Sequence, residues 1–436
     1  MPTTVALTDD WTGWIDDRWR GFPTGYAPLP LAQIAGRGWR PQDGRMALPL
    51  LSLDLTTFEL NAEAVLRHLA TEGALIAPHA KTPMSVAIAR GLQEAGAWGV
   101  TVADARQASV MLEGGLSRLI LANQVGGPGG ARRLAALLWH HPMAEVHTFV
   151  DSVEGVDALA SAWQAENSRG KGMPDLGLMI ELGAGRAGIR DDQAAVGLME
   201  HILTLPAECG LRLSGIAGYE GAAVVADEKE SERRVDALME RMAALHAAMR
   251  GRLGPGAPLI LTAGGSLWFD RVLAMLGPAA VADGRTRLIL RSGALFFSDH
   301  GVYKRGFAAM EKRGVGFAGR IMPALRLWAE VLSAPESGLL ICGLGMRDAA
   351  SDQGVPMPLK IWRDGKEAGA ADHLFIEKFN DQHAFVRFGS DGPRPAIGDV
   401  IEFGLSHPCT NIDRHGLIWG LDADHKVRCV LPTAFG

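Results

Sequence analysis

Between about residues 70 and 310 one pattern recurs along the chain. A short aliphatic run is followed by a polar or Gly-containing turn and then by a longer stretch with apolar positions at helical spacing. The short runs are ALIAP (74–78), AWGVTV (97–102), RLILA (118–122), EVHTFV (145–150), LGLMIE (176–181), RLSGIAG (212–218), PLILT (258–262) and RLILR (287–291). Between them lie helical patterns such as MSVAIARGLQEAG (84–96), ARQASVMLEGG (105–115) and the charged stretch 227–253. This alternation predicts parallel βα units, and eight units is the count of a (β/α)8 barrel. An open, doubly wound sheet has the same rhythm, because counting strands does not establish closure.

After about residue 315 the pattern changes to strand-like runs with turns and no long helix: IMPALRLWAEVLS, GLLICGLG, HAFVRFG, DVIEFGLSH, GLIWGLD and VRCVLP. The first 50 residues hold Pro, Gly and Trp irregularly, before the strand-like PLLSLDL and the helical TTFELNAEAVLRHLA. The predicted fold class is therefore α/β, a TIM-type barrel followed by a smaller all-β domain. Residues 1–55 form an N-terminal extension plus a strand joining the β-domain, 56–314 the barrel, and 315–436 the β-domain.

Composition narrows the function. The 436 residues are 47% hydrophobic and 21% charged, ordinary values for a globular protein. A net charge of −6 with scattered Lys and Arg points away from nucleic acid and anionic membranes, and toward a small-molecule partner. No apolar run has the length of a membrane span, and the acidic, aromatic start does not resemble a signal peptide, so a cytoplasmic location is expected. Four cysteines, Cys209, Cys342, Cys409 and Cys429, are too sparse for a disulfide framework.

In a barrel, chemistry belongs at the C-terminal ends of the strands. After the first strand comes Pro78-His79-Ala80-Lys81-Thr82. A lysine at a barrel mouth suits imine formation, because desolvation frees its amine, although a surface loop carries lysines too. After the seventh strand comes Thr262-Ala263-Gly264-Gly265-Ser266, and after the eighth Arg291-Ser292-Gly293. Glycines followed by a hydroxyl expose backbone N–H groups to an anion; a tight turn with a capping serine has the same sequence. With Lys81, these loops describe a phosphate-bearing cofactor that also needs an amine.

After the fifth and sixth strands lie Gly183-Ala184-Gly185-Arg186 and Tyr219-Glu220-Gly221, where glycines leave room for a flat ring and Arg186 is placed to hydrogen-bond a ring nitrogen. The GxGxxG spelled by residues 183–188 lacks the acidic residue of a dinucleotide site. Gln124, after the third strand, lies against a cofactor or is a loop amide. In the β-domain, Ser406-His407-Pro408-Cys409-Thr410 sets a nitrogen and a thiolate two residues apart, on one side of an extended strand. That pair suits zinc in an open site with water or substrate completing the shell, and also suits a buried pair without metal.

Taken together, Pro78-His79-Ala80-Lys81-Thr82, the eight-unit rhythm and His407-Pro408-Cys409-Thr410 resemble the D-threonine aldolase and D-serine dehydratase family. That family is similar in fold to alanine racemase: a pyridoxal 5'-phosphate barrel followed by a β-domain. The resemblance implies Lys81 as the imine-forming lysine and general base, with His79 and Tyr219 as further catalytic groups. It implies Gln124, Arg186, Tyr219, Thr262, Gly264, Gly265, Ser266, Ser292 and Gly293 around the cofactor, and His407 with Cys409 on a divalent metal, zinc or manganese. Arg186 is preceded by Ala184-Gly185 where the family often has a bulky polar residue.

The activity so implied is dehydration and deamination of a D-β-hydroxy amino acid such as D-serine, D-threonine or D-threo-3-hydroxyaspartate. His-x-Cys resembles the dehydratase-like members, whereas a carboxylate in the second position resembles the aldolases, which release glycine and an aldehyde. Racemisation would need a second base, for which Tyr219 and Tyr303 are available. A non-catalytic cofactor-binding barrel would need neither the β-domain nor the metal pair. A second carboxylate on the substrate would be read by basic groups such as His79 and Arg291. A homodimer is expected from the resemblance.

Overall fold

The computed structural model describes Val5, Leu7 and residues 13–168, 172–389 and 392–435. Two compact units share the chain. One holds Leu66–Lys81 and Leu92–Gly293; the other holds Thr3–Val65, Thr82–Gly91 and Ala294–Gly436. The division differs from boundaries drawn at 55 and 314. The helix Leu55–Thr71 starts among β-domain residues, tied there by Asn61, whose amide donates to Phe296 O (2.9 Å) and Met322 O (2.7 Å).

In the first unit the eight strands are β1 (Leu75–Ile76), β2 (Val100–Val102), β3 (Arg118–Leu121), β4 (Glu145–Val150), β5 (Leu176–Leu182), β6 (Leu211–Gly218), β7 (Leu259–Ala263) and β8 (Thr286–Leu290). They pair in parallel in the order β1-β8-β7-β6-β5-β4-β3-β2. The two ends then meet. Trp98 N donates to Ile76 O (2.8 Å), Thr101 N to Pro78 O (3.0 Å) and Ala80 N to Thr101 O (2.7 Å), so the sheet is closed. Pro78 has no N–H, which keeps the regular part of β1 short, yet its carbonyl still serves the closure. The interior is packed by Ala77, Trp98, Ile120, Phe149, Met179, Ala217, Ile260 and Ile289, one residue from or beside each strand. Small residues at 77 and 217 leave space for the large rings at 98 and 149.

The second unit is built on an antiparallel sheet ordered Lys366–Ala370, Met357–Arg363, Val400–Gly404, Leu325–Glu336, Leu339–Cys342, Ala384–Phe388 and Leu374–Phe379. Leu50–Asp54 joins it, antiparallel to Leu325–Glu336 and parallel to Leu417–Leu421, which continues to Val427–Pro432. Three of these strands, 357–363, 366–370 and 374–379, escape the hydrophobic pattern because their exposed faces carry Lys, Arg and Glu, and 366–370 is KEAGA. The irregular N-terminus is part of this core. Ile15, Phe22, Leu31, Ile34, Trp39 and Met46 pack with Trp328, Trp362 and Trp419. Among the described residues no helix is long and apolar enough to cross a membrane, and all four cysteines are free thiols.

Phe22 has no exposed surface, whereas Trp14 is 63% exposed. Phe22→Ala is expected to destabilise the β-domain by about 3–5 kcal/mol, and Trp14→Ala by less than about 0.5 kcal/mol. Urea unfolding followed by tryptophan fluorescence checks the contrast, and equal midpoints for the two variants would contradict a core role for the N-terminal segment.

Candidate active site

The polar residues of the barrel gather after its strands. Lys81, six residues after Leu75 and just past the closing hydrogen bonds, is exposed. His79 lies two residues earlier on the same segment. Its Nδ1 is shut off from solvent without a partner, and its pKa is held well below the ordinary value by burial and then by the charges of Lys81, Arg291 and Arg186. The ring stays neutral, within a cluster of three cations that favours an anion at this end of the barrel.

The loop after β7 has the build of an anion seat, and in this structure a carboxylate fills part of it. Glu220, fully buried after β6, accepts from Gly264 N (2.8 Å), Ser266 N (2.8 Å) and Ser266 Oγ (2.7 Å). Gly264 turns at φ +74°, a conformation that favours glycine, and a Cβ there would lie 2.3 Å from Leu290. Across the mouth, a Cβ at Gly293 would lie 2.3 Å from the carbonyl oxygen of His79, so only glycine lets the loop after β8 approach the lysine segment so closely. The sequence-based cradle is thus divided. Gly264 and Ser266 are engaged by Glu220, while the Gly265 and Gly293 amides face no protein acceptor among the described residues.

Three further expectations change. Thr262 is fully buried; its hydroxyl donates to Ile289 O (2.8 Å) and accepts from Arg291 Nη1 (2.8 Å), so it braces strands rather than facing a ligand. Arg291, 3% exposed, also donates from Nη2 to Gly218 O (2.7 Å). With both terminal nitrogens engaged, it is a poor reader of a second substrate carboxylate. Gln124 donates from Nε2 to Glu181 Oε2 (2.5 Å), and burial raises the pKa of this carboxyl. Glu181 lies on β5 inside a strand-like run, where the aliphatic pattern masks it.

Arg186 is exposed, with its guanidinium carbon 4.9 Å from the centre of the Tyr219 ring. A Cβ at Gly265 would touch that ring at 3.1 Å, so the structure brings Arg186, Tyr219 and the glycine loop together. Ser292 is buried, and its N–H bonds to Gly264 O (3.0 Å). Tyr303 belongs to the other unit, buried on the helix Val302–Lys312 with its ring against Phe307.

The His–Cys pair is not on an extended strand. His407 is extended, but Pro408 starts a one-turn helix, Pro408–Ile412, as proline does at a first helical position. Cys409 first and Asp352 next raise the pKa of His407 to about 9. Asp352 accepts at Oδ2 from His407 Nδ1 (2.8 Å) and at Oδ1 from Thr410 Oγ1 (2.7 Å). A carboxylate on Nδ1 fixes the ring and leaves Nε2 for another partner, as in metal-binding histidines. Thr82, the residue after Lys81, places its hydroxyl 3.3 Å from Cys409 Sγ. Among the described residues no three His, Cys, Asp or Glu side chains form a closed cage, so the pair would leave open positions on a metal. Asp352, 55 residues before His407, has no local sequence signal.

A closed parallel barrel with a lysine after β1 and an anion seat after β7, in a chain that also has an antiparallel domain bearing a His–Cys pair, defines an alanine-racemase-like class. Comparisons with known proteins agree. Residues 53–266 match the alanine racemase N-terminal domain, and residues 324–420 match the putative serine dehydratase domain. The chain is 25% identical over 377 residues to a D-threonine aldolase of Arthrobacter sp., covering 86% of this chain and 89% of that protein. It is 25% identical over 197 residues to D-threo-3-hydroxyaspartate dehydratase of Delftia sp., covering 44% and 48%. The solved structure of that dehydratase superposes with a TM-score of 0.67 at 19% identity, covering 91% of this chain and 99% of the other. D-threonine aldolase from Filomicrobium marinum gives 0.72 at 23% identity, covering 89% and 96%. The chain is thus similar to the alanine racemase N-terminal domain over residues 53–266 and to the putative serine dehydratase domain over residues 324–420.

Glu220→Ala removes the acceptor of three hydrogen bonds, of a kind worth about 1.5–3 kcal/mol each when a charged group takes part. Amide exchange across residues 263–268 is expected to accelerate on that substitution, as measured by mass spectrometry. Unchanged protection would show that the loop holds its shape without Glu220.

Proposed function

We propose that this chain is a pyridoxal-phosphate- and divalent-metal-dependent lyase of D-β-hydroxy amino acids, working by β-elimination: water leaves, and hydrolysis of the product gives a 2-oxo acid and ammonia. When bound, pyridoxal phosphate supplies a sink for the electron pair left at Cα, and the metal supplies Lewis acidity at the β-oxygen. The residues fit both groups. The Gly265 and Gly293 amides and the close approach of Gly293 to His79 leave a cradle that side chains would fill. His407, with Asp352 on its Nδ1, and Cys409 two residues on supply a nitrogen and a sulfur donor of the kind a metal takes.

In this reading the Lys81 amine carries the cofactor and takes the Cα proton. His79, kept neutral, offers a nitrogen without adding charge beside it. Arg186 and Tyr219 border the ring, and Arg186 is the exposed cation available to a substrate carboxylate. His407 and Cys409 hold the metal, with Asp352 fixing the imidazole; zinc suits a nitrogen–sulfur pair, and manganese is the other candidate. A metal-free form has been solved for a variant of the Delftia dehydratase, which supports a metal role in relatives. The observation that carries the proposal is the 2.8 Å bond from His407 Nδ1 to Asp352 beside Cys409, whose Sγ lies 3.3 Å from the Thr82 hydroxyl, the kind of support found behind metal-binding histidines.

Retro-aldol cleavage to glycine and an aldehyde is the second reading. The longer match to a D-threonine aldolase favours it, whereas sulfur as the second metal donor favours elimination.

Assays with D-serine, D-threonine and D-threo-3-hydroxyaspartate, following 2-oxo acid and aldehyde in parallel, decide between them. Oxo acid with ammonia is expected, abolished by a chelator and reduced by on the order of 10²- to 10⁴-fold in Lys81→Ala. Aldehyde with glycine would make the protein an aldolase, and no turnover of any D-substrate would reject both readings.

A further inference from the structure

The loop that bears Asp352 is held from the far N-terminus of the chain. Arg20 is pinned by its backbone: Trp419 Nε1 donates to Arg20 O (3.0 Å), and Gly21 N donates to Ala47 O (2.9 Å). Gly21 has no room for a side chain, since a Cβ would lie 2.2 Å from Trp419 Nε1. From this anchor the Arg20 guanidinium reaches Asp348 Oδ1 in a close ion pair and lies 3.5 Å from Arg347 O. Asp348 is 2% exposed, and its other oxygen accepts from Gly345 N (2.8 Å), so its charge stabilises the turn that opens the loop.

From Asp348 the path to His407 is short and made of polar contacts. Asp348 O accepts from His415 Nε2 (2.9 Å), a buried ring kept neutral. Ala350 N donates to Asn411 Oδ1 (2.9 Å), and Asn411 Nδ2 donates to His407 O (2.6 Å). Two residues on, Asp352 accepts hydrogen bonds from His407 Nδ1 and from the Thr410 hydroxyl. Residues 343–351 form no strand or helix; backbone bonds from Met346 N to Asn380 O (2.9 Å) and from Arg347 N to Asp381 O (3.1 Å) hold the start of the loop, and the side-chain contacts of Asp348, Asn411 and Asp352 hold the rest.

We propose that Arg20 is a positioning residue for the metal pair. By neutralising the buried Asp348 carboxylate it fixes the loop 345–352, and the loop holds Asp352 on His407. This assigns a role in the site to an N-terminal segment that the (β/α)8 pattern leaves unexplained, and it rests on His407 and Cys409 being the metal donors. A buried carboxylate that loses its cation is driven to take up a proton or to move toward water, and either change loosens the turn.

The test is zinc retention. Zinc-loaded holoenzyme is dialysed against a graded chelator series, and metal and pyridoxal phosphate per subunit are measured. For Arg20→Ala, half of the zinc is expected to be lost at about 10- to 100-fold lower competitor strength than in wild type, with cofactor content unchanged. Arg20→Lys, which keeps the charge, is expected to restore most of the retention. Arg18→Ala, which removes only the surface pair with Asp16, is expected to match wild type. Cobalt-loaded protein gives a second readout, a weakened sulfur-to-metal absorption band in Arg20→Ala. If Arg20→Ala fails to fold, Arg20→Gln has similar reach without the charge and the same loss is expected. Zinc held as tightly by the uncharged variant as by wild type overturns the proposal. A wild-type protein that takes up no zinc or cobalt at all instead overturns the metal pair, a separate failure.

Discussion

Three backbone hydrogen bonds between residues 76–80 and 98–101 close the parallel sheet, and the candidate chemistry depends on them. Without them the first strand would present unpaired groups at a sheet edge. With them, the segment Pro78–Lys81 becomes the rim of a barrel. Closure places His79 and Lys81 there, with the His79 Nδ1 shut off from solvent and Lys81 exposed. It also brings the segment against Gly293, where a larger residue would collide with the His79 carbonyl. Fold and site are here a single geometric constraint.

Around that rim, charged groups are used in two ways. Arg291, Thr262 and Gly218 form a buried brace, and Gln124 with Glu181 forms another; both satisfy polar atoms that the barrel interior would otherwise leave unpaired. Arg186 and Lys81 remain exposed. Glu220 stands between the two uses, since it supplies an anion to a loop whose amides have the arrangement that binds anions. The loop is therefore shaped before any ligand arrives, which lowers the ordering cost of binding.

The barrel was legible in the sequence because its strands are aliphatic runs separated by helices with strong periodicity. Lys81, His407 and Cys409 stood out in the sequence as candidates because their chemistry is rare in such positions. Closure was not, since it depends on Pro78 and Thr101, whose pairing leaves no trace in hydrophobicity. Asp352, Glu181 and the place of Glu220 were equally hidden, because each meets its partner across tens of residues. Thr262 and Arg291 were misread as ligand-facing: proximity to a phosphate-type loop cannot tell a hydroxyl that faces a ligand from one that bonds Ile289. The strands 357–379 were missed where one face is solvated and charged. Irregular spacing likewise concealed that the N-terminal segment contributes Phe22 and Trp39 to a core.

The pairing of Leu50–Asp54 also has a bearing on biosynthesis. Every barrel strand lies between residues 75 and 290, so the barrel's pairings are available before Leu325–Glu336 is made. Leu50–Asp54, made early, must wait for Leu325–Glu336 on one side and Leu417–Leu421 on the other. At about 5–20 residues per second, that strand spends on the order of tens of seconds on the ribosome without either neighbour. During that interval a segment reading LLSLD is exposed to chaperones and to other nascent chains, and its place in the sheet is filled only once Leu417–Leu421 has emerged.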